Sequence, residues 1–191
     1  MENTNAKIIP LKFGDIEDDF YAGFGIRLGA NILDGLFLLP FYILTGLLAR
    51  FVSVSEFMLI TIILYLIIFW YKVDLPKKYG GTPGKLIFKM KIIKIDSENI
   101  GWKQAFLRES VELILRLLSD IILFLSIFEI NLPVNKMNTI ITIIFHIWAW
   151  SEIIILLTNE RKRSAHDFIA GTVVVKSKYI EKIREDMAHF T

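Results

Sequence analysis

Basic residues are dealt unevenly among the apolar stretches of this chain, and that partition constrains its fold more than any single motif. The 191 residues contain four stretches dominated by Ile, Leu and Phe. The segment from Lys72 through Arg108 carries nine Lys/Arg, and the one from Arg161 to Arg184 carries seven. Between the first and second apolar stretches there is only Arg50, and between the third and fourth only Lys136. Loops rich in Lys and Arg stay on the cytoplasmic side of a membrane. The partition therefore predicts an all-α integral membrane protein of four membrane-embedded helices, with two short outer turns and a cytoplasmic middle loop. Both termini would face the cytoplasm of a multi-pass cell-membrane protein. Composition agrees. The chain is 54% hydrophobic, against about 45–50% for a soluble domain even with glycine counted. The alternative is a soluble helical bundle, since no apolar run reaches about 18 residues without a charge.

The pattern places helices at about 21–49, 55–72, 102–128 and 136–158. Pro40 lies inside the first. The second has fifteen uncharged residues between Glu56 and Lys72, short for a hydrocarbon core of about 30 Å unless Lys72 snorkels. Residues 1–20 read as an acidic, solvated tail, with a short strand or loose packing at Ile8–Phe13. They lack the basic n-region and apolar core of a cleaved leader, so insertion would be directed by the membrane segments themselves. Residues 21–176 form one membrane domain and 177–191 a charged cytoplasmic tail. Gly80 to Gly84 is a turn cluster, Leu86–Ile95 a short strand, and Asn131–Asn135 a turn. Thr172–Lys176 is a second strand, expected to pair with the first in a small cytoplasmic two-stranded β element.

Charges inside apolar helices cost on the order of 3 kcal/mol each and need partners. Arg27, Asn31 and Asp34 fall within roughly 60° of one another on a helical wheel, and Gly25 and Gly29 form a GxxxG pair opposite them. That pair suggests a packing seam for a homo-oligomer. In the third helix Arg108, Glu112, Arg116 and Asp120 alternate in sign at i, i+4. This ladder offers Arg108 or Arg116 to Asp34, and Glu109 or Glu112 to Arg27, through a polar seam between helices 1 and 3; the other reading is a solvated interfacial face. Asp34 either titrates and binds a cation, tuned by Arg27, or belongs to a structural ion-pair network. Glu152 either belongs to the polar site or snorkels, and His146 either relays protons or is a hydrogen-bonded packing residue. Gly80 to Lys85 is not a phosphate loop, because the spacing is wrong and Leu86 follows the lysine. His166-Asp167 lacks a third ligand in range, so no metal is expected. Asp167 either caps a short helix or ties the tail to lysines of the middle loop. With no Cys and a net charge of +2, disulfides, thiolate chemistry and nucleic-acid binding are not expected.

Three groups of residues together resemble the RDD family of small membrane proteins. The first is Arg27 with Asp34. The second is Gly80-Gly81-Thr82-Pro83-Gly84-Lys85, and the third is His166-Asp167 followed by Ala170-Gly171-Thr172. The family is named for one arginine and two aspartates, which by type and place are Arg27, Asp34 and Asp167. Arg108 resembles its further basic position, and Pro83 departs from a more usual apolar residue. The resemblance implies the fold and a membrane location. Some members are described as cation/proton antiporters and others as accessory proteins. Cation/proton exchange is the leading expectation, with Asp34, Arg27, Asn31, Arg116, Glu112, Asp120, Glu152 and His146 as candidate residues. A non-transporting scaffold or assembly protein is the alternative. No enzymatic activity and no cofactor are expected; monovalent cations, protons and anionic lipids are the expected partners.

Overall fold

A computed structural model of the chain describes residues 8–9, 20–127 and 133–189. Most of the expected N-terminal tail and Ile8–Phe13 strand, and part of the Asn131–Asn135 turn, lie outside the described residues.

Helix α1 spans Phe24–Leu48 with Pro40 inside it. Helix α2 spans Val54–Phe69 and opens on a capping box, in which Glu56 N donates to Ser53 Oγ and Ser53 N donates to Glu56 Oε2. The helical path does not end at Lys72. It widens into a π-turn at Trp70–Asp74 and continues as α3, Leu75–Tyr79, stopping at Gly80 with a left-handed φ of 81°. The wide turn lies just ahead of Pro76, whose ring would collide with the carbonyl four residues back in a regular α-helix. This removes the expected shortness of the second helix.

The expected turn at Gly80–Gly84 and strand at Leu86–Ile95 take a different form. Pro83–Ile87 forms a one-turn helix, α4, with Pro83 in its first turn and Thr82 extended before it, a position that suits a residue with no N–H to donate. Strand β1 begins only at Met90 and ends at Lys94. It pairs antiparallel with β2, Thr172–Lys176, from Met90 opposite Lys176 to Lys94 opposite Thr172. The predicted pairing of middle loop and tail is thus present. Between them run α5 (Trp102–Ile127), α6 (Val134–Thr158) and α7 (Ala165–Ala170). Helix α8, Ile180–His189, follows β2.

The two-stranded sheet is buried on both faces, which explains the unbroken valine run of β2. Ile93, Val173 and Val175 pack with Ile9, Tyr21, Ile180 and Ile183 on one face. Met90, Ile92 and Val174 pack with Ala22, Ala30, Val73 and Ala105 on the other. Ile9 also donates its N–H to Ile95 O at 2.9 Å, tying a residue of the N-terminal region to the sheet.

Away from the sheet the packing is inside-out. Three segments are long and apolar enough to cross a membrane: Phe24–Leu48, Val54–Ile87 and Val134–Thr158. Their large apolar side chains face outward, as at Leu36, Leu66 and Ile147, while Arg27, Asp34 and Asp74 are buried; Glu56, Lys78 and Lys136, towards the segment ends, are exposed. A soluble bundle would do the reverse. Among the described residues three helices meet this description, where four were expected. Helix α5 carries its charges along most of its length and turns them to its neighbours.

Candidate functional site: two buried carboxylates

Asp34 sits one helical turn past Ala30 on the buried side of α1 and is 8% exposed. Three donors converge on its carboxylate. Tyr71 Oη donates to Oδ1 at 2.6 Å, Thr82 Oγ1 to Oδ2 at 2.5 Å, and Gly84 N to Oδ1 at 2.7 Å. The π-turn supplies Tyr71, and the first turn of α4 supplies Gly84. Position 84 must lack a side chain, because a Cβ would stand 2.7 Å from Asp34 Oδ1 and press on the Ala30 carbonyl. Lys85 brings its Nζ to 4.0 Å from Asp34 Oδ2, with a side chain only 14% exposed. The Gly80–Lys85 motif therefore forms a cradle for a carboxylate.

Asp167, 0% exposed, is the second centre. It stands in the first turn of α7, where its Oδ2 accepts from Ser164 N and Ser164 Oγ, each at 3.2 Å, in a capping arrangement. The same oxygen accepts from Arg27 Nη1 at 2.6 Å. Oδ1 accepts from Arg108 Nη1 and from Thr172 Oγ1. Arg27 is pinned further by Nε to Ala22 O and Nη2 to Lys162 O. Arg108 reaches Thr172 Oγ1 at 2.6 Å and His166 Nε2 at 2.8 Å. His166 in turn contacts Glu152 of α6, Nδ1 to Oε2 at 2.5 Å. Arg163 closes the knot by donating to the carbonyls of Asp167 and Thr172 at 3.0 Å, its guanidinium lying 4.0 Å from the Phe168 ring. Burial would raise the Asp167 pKa, but Arg108 and then Arg27 outweigh it and hold the carboxyl well below its usual range. The result is a carboxylate, charged at neutral pH, that fastens α1, α5, α7 and β2 together.

These partners differ from those expected. Arg27 pairs with Asp167, not with Glu109 or Glu112. Asp34 is held by Tyr71, Thr82, Gly84 and Lys85, not by Arg108 or Arg116. Glu109 and Glu112 both bind Lys72 Nζ, at 3.0 and 2.7 Å, so Lys72 does not snorkel. Arg116 donates to Tyr42 Oη at 3.1 Å, and Tyr65 donates to Asp120. The polar face of α5 thus meets α2, its π-turn and α7, and reaches α1 at Tyr42. Glu152 is tied to His166 and does not snorkel. Asn31 is exposed and joins neither centre. His146 is exposed too, its Nδ1 lying 2.7 Å from the Thr142 carbonyl one turn back. Gly29 is covered within the chain by Phe88, whose Cζ would lie 2.9 Å from an added Cβ. Gly171 ends α7 with a left-handed φ of 65°. Asp167 does cap a short helix, but it binds arginines of α1 and α5, not lysines of the middle loop.

Sequence reasoning overlooked Tyr71, Ser164 and Arg163. Tyr71 carried a signal: a phenol in an apolar helix needs a hydrogen-bond partner. Among the described residues no group of His, Asp and Glu is arranged to hold a metal ion.

Apolar helices facing outward over an arginine–aspartate core define a multi-pass membrane-type protein. Residues 21–171 match the family model described as RDD family, and the chain belongs to that family. Arg27, Asp34 and Asp167, which by resemblance stand for the family's arginine and two aspartates, lie in the two centres just described. No curated protein and no solved structure matches the chain significantly.

Proposed function

We propose that the protein exchanges monovalent cations for protons across the cell membrane, with Asp34 and Lys85 as the exchanging pair. The observation that carries this reading is the contrast between Lys85 and its surroundings. The Lys85 ammonium is largely buried and 4.0 Å from Asp34, yet makes no hydrogen bond among the described residues. Asp34 itself is held rigidly by three donors that carry no net charge. A lysine placed this way can release its proton, since its charge state depends strongly on burial. Loss of that proton leaves the Asp34 charge uncompensated in a medium of low dielectric, where a small cation is attracted strongly. Reprotonation of Lys85 then expels the cation. Proton and cation compete for one negative charge, which is the requirement for coupled exchange.

The Lys/Arg partition supports an orientation with the sheet and both termini in the cytoplasm and the lysines near anionic lipid headgroups. So few helices suggest that a path through the membrane needs more than one copy. Helix α5, with charges bound on its inner side, would be the fourth embedded helix. The reading is tested in vesicles by following internal pH after a sodium or potassium pulse. Wild type should show cation-driven proton flux, and Asp34→Asn and Lys85→Gln should not; absence of flux in wild type would overturn it.

A specific observation favours a second reading, a non-transporting accessory protein. The Asp167 knot uses every charge to fasten helices, and the outward apolar faces of α1 and α6 are available to partner helices. A stoichiometric partner retained in mild detergent, together with absence of flux, would support it.

A further inference from the structure

A cleft of about 290 Å³ opens between α2 and α5. It lies away from both buried centres, between Val54–Tyr65 and Leu117–Phe124. Its walls are apolar except for Thr61, Tyr65 and Asp120, and three of its lining side chains are aromatic: Phe57, Tyr65 and Phe124. Asp120 is the outlier among the buried or half-buried carboxylates of the long helices. Asp34 has Lys85 nearby, Glu109 and Glu112 share Lys72, and Glu152 has His166. Asp120 has no cation within 4.0 Å among the described residues. Tyr65 occupies its Oδ2, and Oδ1 accepts no hydrogen bond there. The nearest arginine on the same helix, Arg116, is turned to Tyr42 of α1, its guanidinium 5.5 Å from that ring.

We propose that this cleft binds a lipophilic cation, with Asp120 as counter-ion and the aromatic walls receiving the apolar substituents. A quaternary ammonium attached to an aromatic or aliphatic group has both features that the cleft complements. The carboxylate gives it a charge that acyl chains cannot exploit, and aromatic faces attract a cation that is weakly hydrated. Its size lies near the lower limit of ordinary small-molecule sites. The site is independent of exchange at Asp34 and stands or falls separately.

Benzyltrimethylammonium is a suitable probe because neopentylbenzene has the same shape without the charge. Binding of the labelled cation to the full-length purified protein in detergent would be measured by equilibrium dialysis. Saturable binding is expected, weakened roughly tenfold or more by Asp120→Asn and similarly by Thr61→Phe, which fills the cleft without touching the charge. Tyr65→Phe should retain binding, since it frees the carboxylate. If Asp120→Asn fails to fold, Thr61→Phe and competition by neopentylbenzene carry the decision. Three results would overturn the proposal. These are no saturable binding, unchanged binding in a folded Asp120→Asn or Thr61→Phe variant, or equal competition by neopentylbenzene, which would mark a groove for any apolar chain.

Discussion

An alanine at position 84 would push a methyl group to 2.7 Å from Asp34 Oδ1. Relief requires α4 to move and the Gly84 N–H to leave the carboxylate. Gly84→Ala should therefore cost about 1–3 kcal/mol, from overpacking and a weakened buried hydrogen bond, visible as a lower melting temperature in detergent. Asp167→Asn removes the charge shared by Arg27 and Arg108, both buried. Breaking a buried pair from one side costs about 3–5 kcal/mol. The carboxyl is depressed below its ordinary 3.8, so its stabilisation is complete above about pH 4 and lost as pH falls below that value. Wild type and Asp167→Asn should thus differ most at neutral pH and converge on acidification below about pH 4, checked by chemical denaturation across pH. At this scale the sequence disclosed which residues were out of place but not what held them. Arg27 and Asp34 were conspicuous as charges in an apolar run. Their partners could not be read off, because Asp167 is 140 positions from Arg27 and the cradle of Asp34 depends on a one-turn helix too short to leave a periodic signal.

Among the elements, α1 and α4 meet where Phe88 lies over Gly29. Gly29→Val should destabilise the fold by about 1–3 kcal/mol, and Phe88→Ala should recover much of that loss. A double-mutant cycle on melting in detergent would measure the coupling; additive losses would mean that the two elements do not meet there. That β1 pairs with β2 was legible, because both stretches are short and strand-like and fall on the same side by charge; the antiparallel sense and the start at Met90 were not. The extension of α2 through its π-turn was not. Lys72 read as the end of a helix, when it is bound by two glutamates of α5 and the path continues past it through the wider turn. Lys72→Met should leave Glu109 and Glu112 half-buried without their shared cation. A loss of about 1–3 kcal/mol, partly restored by adding Glu112→Gln, would be read from the same melting experiment.

For the whole molecule, polarity runs from inside to outside in reverse of a soluble bundle. Outward apolar faces suit lipid, and the inward charges are joined in pairs and knots that bind the long helices to a small buried sheet. Within that arrangement Lys85 lies 4.0 Å from Asp34 and makes no hydrogen bond among the described residues, and the proposed exchange rests on it. The most direct measurement is proton release when sodium or potassium is added to purified protein in lightly buffered detergent solution. Competition between Lys85 and a cation for Asp34 predicts saturable, stoichiometric proton release in wild type and its loss in both Lys85→Gln and Asp34→Asn. No release from wild type, or release that survives in a folded Lys85→Gln variant, would contradict it.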